Sequence, residues 1–128
     1  MKKTLLDTNI ILRYLVGDVR EQYDLAGKLF RQAERGEVAL EVLPTIVAEA
    51  CFVLTSFYKK STSEVAEAME GFLSVPWMEA EHRAALQGMW EWYRNGQHFV
   101  DSYLLALEKY EGYDVVSFDK KLLKKRAA

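Results

Sequence analysis

Cysteine is nearly missing from this chain: Cys51 is the only one. A single thiol leaves no internal disulfide and no cysteine-based zinc site, which agrees with a reducing compartment. Long apolar runs are missing too. No stretch approaches the roughly 18 residues needed to cross a membrane. Met-Lys-Lys-Thr-Leu-Leu opens like a secretory leader, but Asp7 cuts the apolar stretch short. A cytoplasmic location is therefore expected. Positive charge is not in excess: the net charge is −2 and the pI about 5.7. Nothing global marks a nucleic-acid binder, although a local patch can do that electrostatic work. Repeats, low-complexity segments and linkers are absent.

What is present is one domain's worth of chain. Its 128 residues, half of them hydrophobic, are enough for a real core over 1–128. The C-terminal stretch of about 119–128 stands apart. Residues 120–126 hold five basic side chains and no acid. That is either a solvated helix or a tail that contacts phosphates.

Periodicity sets out the elements. Thr4–Leu6 reads as a strand, followed by a helix with Ile11, Tyr14 and Leu15 on one face. A second helix over about 21–35 carries Leu25, Ala26, Leu29, Phe30 and Ala33 at 3.6-residue spacing and stops at Gly36. Residues 38–43 read as a second strand, and Pro44 suits the first turn of the next helix. That helix, through about Tyr58, is apolar almost all round and is predicted to be buried. Ser61-Thr62-Ser63-Glu64 announces another helix. Residues 75–78 make at best a short edge strand because of Pro76. One helix is expected over 79–95, another over 100–110, a strand over 113–117 and a terminal helix over 119–126. Strands alternating with helices indicate a parallel sheet in an α/β fold.

Four acids stand out. Asp7 lies at the tip of the first strand, where open α/β sheets collect their ligand groups; it also suits an N-cap. Asp119 follows the last expected strand and equally suits a cap. Asp101, in Phe99-Val100-Asp101, sits in a first helical turn, where the dipole favours a carboxylate. Glu49 falls in the middle of the most apolar helix. Burying it alone costs several kcal/mol, and no arginine or lysine lies within one turn. Gathered at one end of a parallel sheet, four carboxylates repel one another. A hard divalent cation with oxygen ligands relieves that repulsion, and such ions activate water and stabilise the leaving oxygen of a phosphodiester.

Leu5-Leu6-Asp7-Thr8-Asn9, Glu49, Phe99-Val100-Asp101 and Ser117-Phe118-Asp119 together resemble the PIN domain, in particular the VapC-type toxins of bacterial and archaeal toxin–antitoxin pairs. The motifs come in the family's order over nearly the whole chain. The resemblance implies a three-layer α/β/α sandwich and a Mg²⁺- or Mn²⁺-dependent endoribonuclease. It also implies a homodimer, neutralised by a small cognate antitoxin. By position, Asp7, Glu49 and Asp101 match the family's principal acids and Asp119 its fourth, with Asn9 and Ser117 as supporting polar residues. Asp7 and Asp101 would bind the ion directly, Glu49 and Asp119 directly or through water. The family's final strand has no counterpart after Asp119, so about four strands are expected. Arg13, Arg94 and the tail lysines are candidates for gripping RNA phosphates; His98 is left outside the site.

Two rivals remain. A HAD-like phosphohydrolase also places Asp7-Thr8-Asn9 after an apolar strand, but it wants an aspartate where Asn9 stands. A non-catalytic PIN-like module would bind RNA or protein without cutting. Trp77, Trp90, Tyr93 and Phe72, at helical spacing, are read as core or dimer interface, and Cys51 as a small buried hydrophobe.

Overall fold

The computed structural model describes residues 2–126; Met1, Ala127 and Ala128 lie outside them. Three short parallel strands, β1 (Lys3–Leu5), β2 (Ala39–Glu41) and β3 (Met78–Glu79), form a sheet in the order β1-β2-β3. Lys3 pairs with Ala39, Leu5 with Glu41 and Leu40 with Met78. The crossover from β1 to β2 is α1 (Thr8–Val16) and α2 (Arg20–Glu34). That from β2 to β3 is α3 (Pro44–Ser56) and α4 (Thr62–Leu73). Four further helices complete the described chain: α5 (Arg83–Gly88), α6 (Trp90–Arg94), α7 (Phe99–Glu111) and α8 (Lys120–Lys125). None of the described helices is long and apolar enough to cross a membrane.

Local chemistry explains the element ends. Pro44 opens α3 at a position where its missing N–H costs nothing. Ser61 and Glu64 form a capping box: the Glu64 N–H donates to Ser61 Oγ (3.1 Å) and the Ser61 N–H to Glu64 Oε1 (2.9 Å). Gly112 ends α7 with φ +76°, a conformation that favours glycine. The core joins Leu40, Val42 and Met78 of the inner sheet face to Ile11, Met69 and the fully buried Trp90. Phe72 and Tyr93 are buried as well and Trp77 is half-buried, as their helical spacing predicts. Lys3, Leu5 and Glu79 on the opposite sheet face reach solvent. There Lys3 pairs with Glu41 at 3.3 Å and Glu79 at 3.9 Å.

Three expectations need correction. The sheet has three strands, not about four, because residues 113–117 make no ladder. Side chains have taken the backbone groups that a ladder would use. Glu108 Oε2 accepts the Val115 N–H (2.9 Å), and the Val115 carbonyl accepts from Arg126 (2.6 Å). The apolar side chains of this segment are left outside: Val116 is 97% exposed. Second, the helix expected over 79–95 is two helices that meet at Met89. Gly88 packs against Tyr110 so closely that an added Cβ would lie 2.4 Å from the ring. The buried Trp90 indole donates to the Leu86 carbonyl (2.9 Å), the acceptor that a continuous helix assigns to the Trp90 backbone N–H.

Third, α3 is not buried all round. Val47, Ala50, Cys51 and Leu54 form its inner stripe, while Phe52 is 69% and Phe57 73% exposed. Glu49 lies off that stripe and is exposed. Leu25, expected in the core from α2, is also turned outward.

Candidate active site

Asp7 stands where β1 hands the chain to α1. Leu6 is buried, and its N–H donates to the Glu41 carbonyl (3.1 Å), fixing the strand end. Asp7 is then the N-cap residue in an extended conformation (φ −87°, ψ 158°). Its carbonyl accepts the Ile10 N–H (3.1 Å), but its carboxylate makes no capping bond. That carboxylate is exposed and has no ion-pair or hydrogen-bond partner among the described residues. The capping alternative therefore does not consume it. Asn9, two residues on, is exposed and lines a groove of about 360 Å³ with Ile10, Arg13, Gln22 and Leu25.

Asp101 lies in the first turn of α7, half-buried and without a partner among the described residues. Its neighbour Ser102 is fully buried and has the Gln97 carbonyl at 3.4 Å. Glu49 has no ion pair among the described residues either, but it stands in water. The desolvation cost that singled it out does not apply. Because α3 packs against both α1 and α7, Asp7, Glu49 and Asp101 are carried by one connected set of helices. Asp119 is a helix cap: its Oδ1 accepts from the Lys121 N–H (2.9 Å) and the Leu122 N–H (3.3 Å). The Asp119 N–H donates to Ser117 Oγ (2.9 Å), so the supporting hydroxyl serves the turn into α8. With no fourth strand, Asp119 is not at a strand tip.

The expected closed set of four carboxylates is not formed. Among the described residues no three or more His, Cys, Asp or Glu side chains stand close enough to hold a metal ion. An open site is another matter. Mg²⁺ usually keeps several waters and takes one or two carboxylates, with substrate phosphates completing its shell. Asp7 and Asp101 are unpartnered carboxylates of the type such an ion takes, and Asp7 is followed in the chain by an unsatisfied buried hydroxyl. The hydroxyl is Thr8 Oγ1, the one buried side-chain polar atom among the described residues without a partner. No signal in the sequence distinguished Thr8, since its orphan state is a property of packing.

The basic candidates divide. Arg13 is tied to Gln22 (2.7 Å), Asp18 and Tyr58 (2.9 Å), and Arg94 to Glu91 and Glu70. Both serve the fold. The α8 lysines are exposed and make no ion pair among the described residues. A second groove of about 360 Å³ runs between α3 and the loop entering α7, lined in part by Phe52, Thr55, Gln97 and the exposed His98. Its inner wall carries Cys51 and Tyr93 and is uncharged. Burial pushes the Cys51 thiol up to about 12 against the opposing Tyr93 hydrogen bond, and burial together with Cys51 raises Tyr93.

Comparison with protein families gives one result. The family model described as PIN domain matches residues 4–128, which sets aside the HAD-like alternative. PIN domains are generally nucleases, so hydrolysis at phosphodiester bonds is the coarse activity. No curated protein matches, and no solved structure matches.

Proposed function

The chain belongs to the PIN domain family, and from that premise we propose that it is a divalent-metal-dependent endoribonuclease, the toxin of a toxin–antitoxin pair. One observation carries the reading: Asp7 and Asp101, each at the start of a helix, keep their carboxylates free of any partner among the described residues. An acid left open where the helix dipole favours negative charge can receive a cation without first breaking an ion pair. Asp7 and Asp101 would hold Mg²⁺ or Mn²⁺, with Glu49 reaching it through water. When bound, the ion supplies positive charge to the phosphate and acidifies a water.

The chain's own residues supply the rest. The exposed Phe52 ring offers a face on which a base can stack. The α8 lysines offer sequence-independent phosphate contacts that weaken with salt. A second copy of the chain and a cognate antitoxin are the protein partners proposed with this reading, in the cytoplasm.

The test is cleavage of RNA by the purified protein. Cleavage is expected with Mg²⁺ or Mn²⁺, is stopped by EDTA, and is lost in Asp7→Asn. Cleavage that survives that substitution sinks the assignment. In cells, expression without the partner is expected to slow growth and Asp101→Ala to relieve it; equal growth inhibition by both forms sinks the toxin role. A second reading, a non-catalytic PIN-like module, draws on the lack of a three-acid cluster among the described residues. It predicts RNA or protein binding that EDTA leaves unchanged.

A further inference from the structure

The groove between α3 and the loop entering α7 differs in kind from the one that holds Asn9. Arg13 lines the Asn9 groove; no lysine, arginine, aspartate or glutamate among the described residues lines this one. An uncharged wall gives a phosphate or a charged side chain nothing to pair with, so the occupant it suits is neutral. At about 360 Å³ the groove lies near the small end of ligand sites, nearer the size of one nucleoside than of a peptide. The exposed Phe52 and His98 rings form its rim. A flat, neutral ring with a hydrogen-bonding edge is what such a rim can stack.

Polar groups on both walls suit the edge of that ring. Gln97 is half-buried in the wall formed by the loop. Its backbone is held: the N–H donates to the Trp92 carbonyl (3.1 Å), and the carbonyl has the Ser102 hydroxyl at 3.4 Å. Its carboxamide has no partner among the described residues and offers an acceptor and an amine donor side by side. Thr55, on the α3 wall, donates its hydroxyl hydrogen back to its own helix, at the Cys51 (3.0 Å) and Phe52 (3.1 Å) carbonyls. Its oxygen is left as an acceptor. A carboxamide pairs twice with N6 and N7 of adenine, whereas guanine suits arginine or lysine and cytosine suits an acid; this groove has neither. We propose that the groove is a specificity pocket for one unpaired adenine of the RNA substrate, stacked on Phe52 and read by Gln97. The inference rests on the ribonuclease reading above and names a base that the reading leaves open.

Stacking and edge reading are separable. A base stacks on an aromatic ring whatever its identity, so Phe52 contributes affinity for any single strand. The amide distinguishes one base from another, so Gln97 contributes preference. Neither needs a divalent ion, because no acid among the described residues lines the groove.

The experiment is RNA binding by the full chain in EDTA, followed by fluorescence anisotropy. The probes are a labelled short oligouridine and the same oligomer with one central adenosine. Wild type is expected to bind the adenosine probe at least about fivefold tighter. Gln97→Leu and Gln97→Glu should bind the two probes alike. Phe52→Ala, a change at an exposed ring, should weaken both by at least about fivefold and keep the preference. Equal or absent binding of the two probes by wild type overturns the inference, and so does a preference that survives in both Gln97 variants. Undiminished RNA affinity in Phe52→Ala overturns it as well; a dimer that falls to a monomer in that variant assigns the groove to a second copy instead. The nuclease reading is decided separately, by cleavage with Mn²⁺. An adenosine preference without cleavage supports the pocket and removes the nuclease.

Discussion

The two ends of α7 hold carboxylates in opposite circumstances. At its C-terminal end Glu108 takes a two-pronged contact from Arg126 (2.9 Å each) and the Val115 N–H (2.9 Å). Glu111 takes the His82 ring (2.8 Å) and the Ala85 N–H (2.9 Å). At the N-terminal end Asp101, half-buried, has no partner among the described residues. The helix dipole accounts for the contrast. An acid near a helix C-terminus faces partial negative charge and needs donors; one near the N-terminus is already favoured and can stay open. Asp7 at the start of α1 belongs to the second class. On α7 the carboxylates that clamp the fold and the one left without a partner are thus separated by where they sit on the helix.

The largest expected effect tests the open end. Asp101→Asn should lower RNA cleavage by at least about a hundredfold and leave the melting temperature near that of wild type. A variant that cleaves normally but melts early would make Asp101 a structural acid and remove the contrast. Next in size is the clamped end. Glu108→Gln should cost about 1–2 kcal/mol, kept modest by the partly exposed Arg126. Cleavage per folded molecule should not change; a fall in cleavage without a fall in melting temperature would tie this end to the site.

The smallest effect concerns pH. Burial acts to raise the Glu111 carboxyl, but the His82 and Ala85 contacts outweigh it and hold the group below its ordinary 4.5. A carboxyl lowered on folding adds stability that is present above its unfolded value and is lost as pH falls through its folded value. The difference in melting temperature between wild type and Glu111→Gln should therefore be full above the ordinary 4.5 and shrink as the pH falls below it. A gap that widens on acidification would contradict the assigned direction.

Local signals in the sequence carried much of this. Pro44, the Ser61–Glu64 pair and the glycines that end helices announced their turns, because capping chemistry is settled within a few residues. The places of Asp7 after β1 and of Asp101 in the first turn of α7 were legible because strand ends and first turns are local features too. Glu49 was misplaced for a physical reason. Composition showed a helix apolar on every side, and nothing local says that Phe52 and Phe57 face outward. Residues 113–117 have the composition of a strand, but a strand needs a neighbour. Whether Glu108 and Arg126 claim the Val115 backbone first depends on chain far away in sequence. Thr8 was invisible for the same reason, since an orphan hydroxyl is defined by what surrounds it.

The buried Cys51 gives the molecule a built-in reporter. Its thiol is 1% exposed and pushed up to about 12, so at neutral pH it offers almost no thiolate to a reagent. A thiol-reactive dye can reach it only when the groove wall beside Tyr93 opens. Its labelling rate under native conditions then counts those openings directly. Handling in air should leave the folded protein unmodified, and any labelling that appears marks the fraction of molecules whose core has come apart.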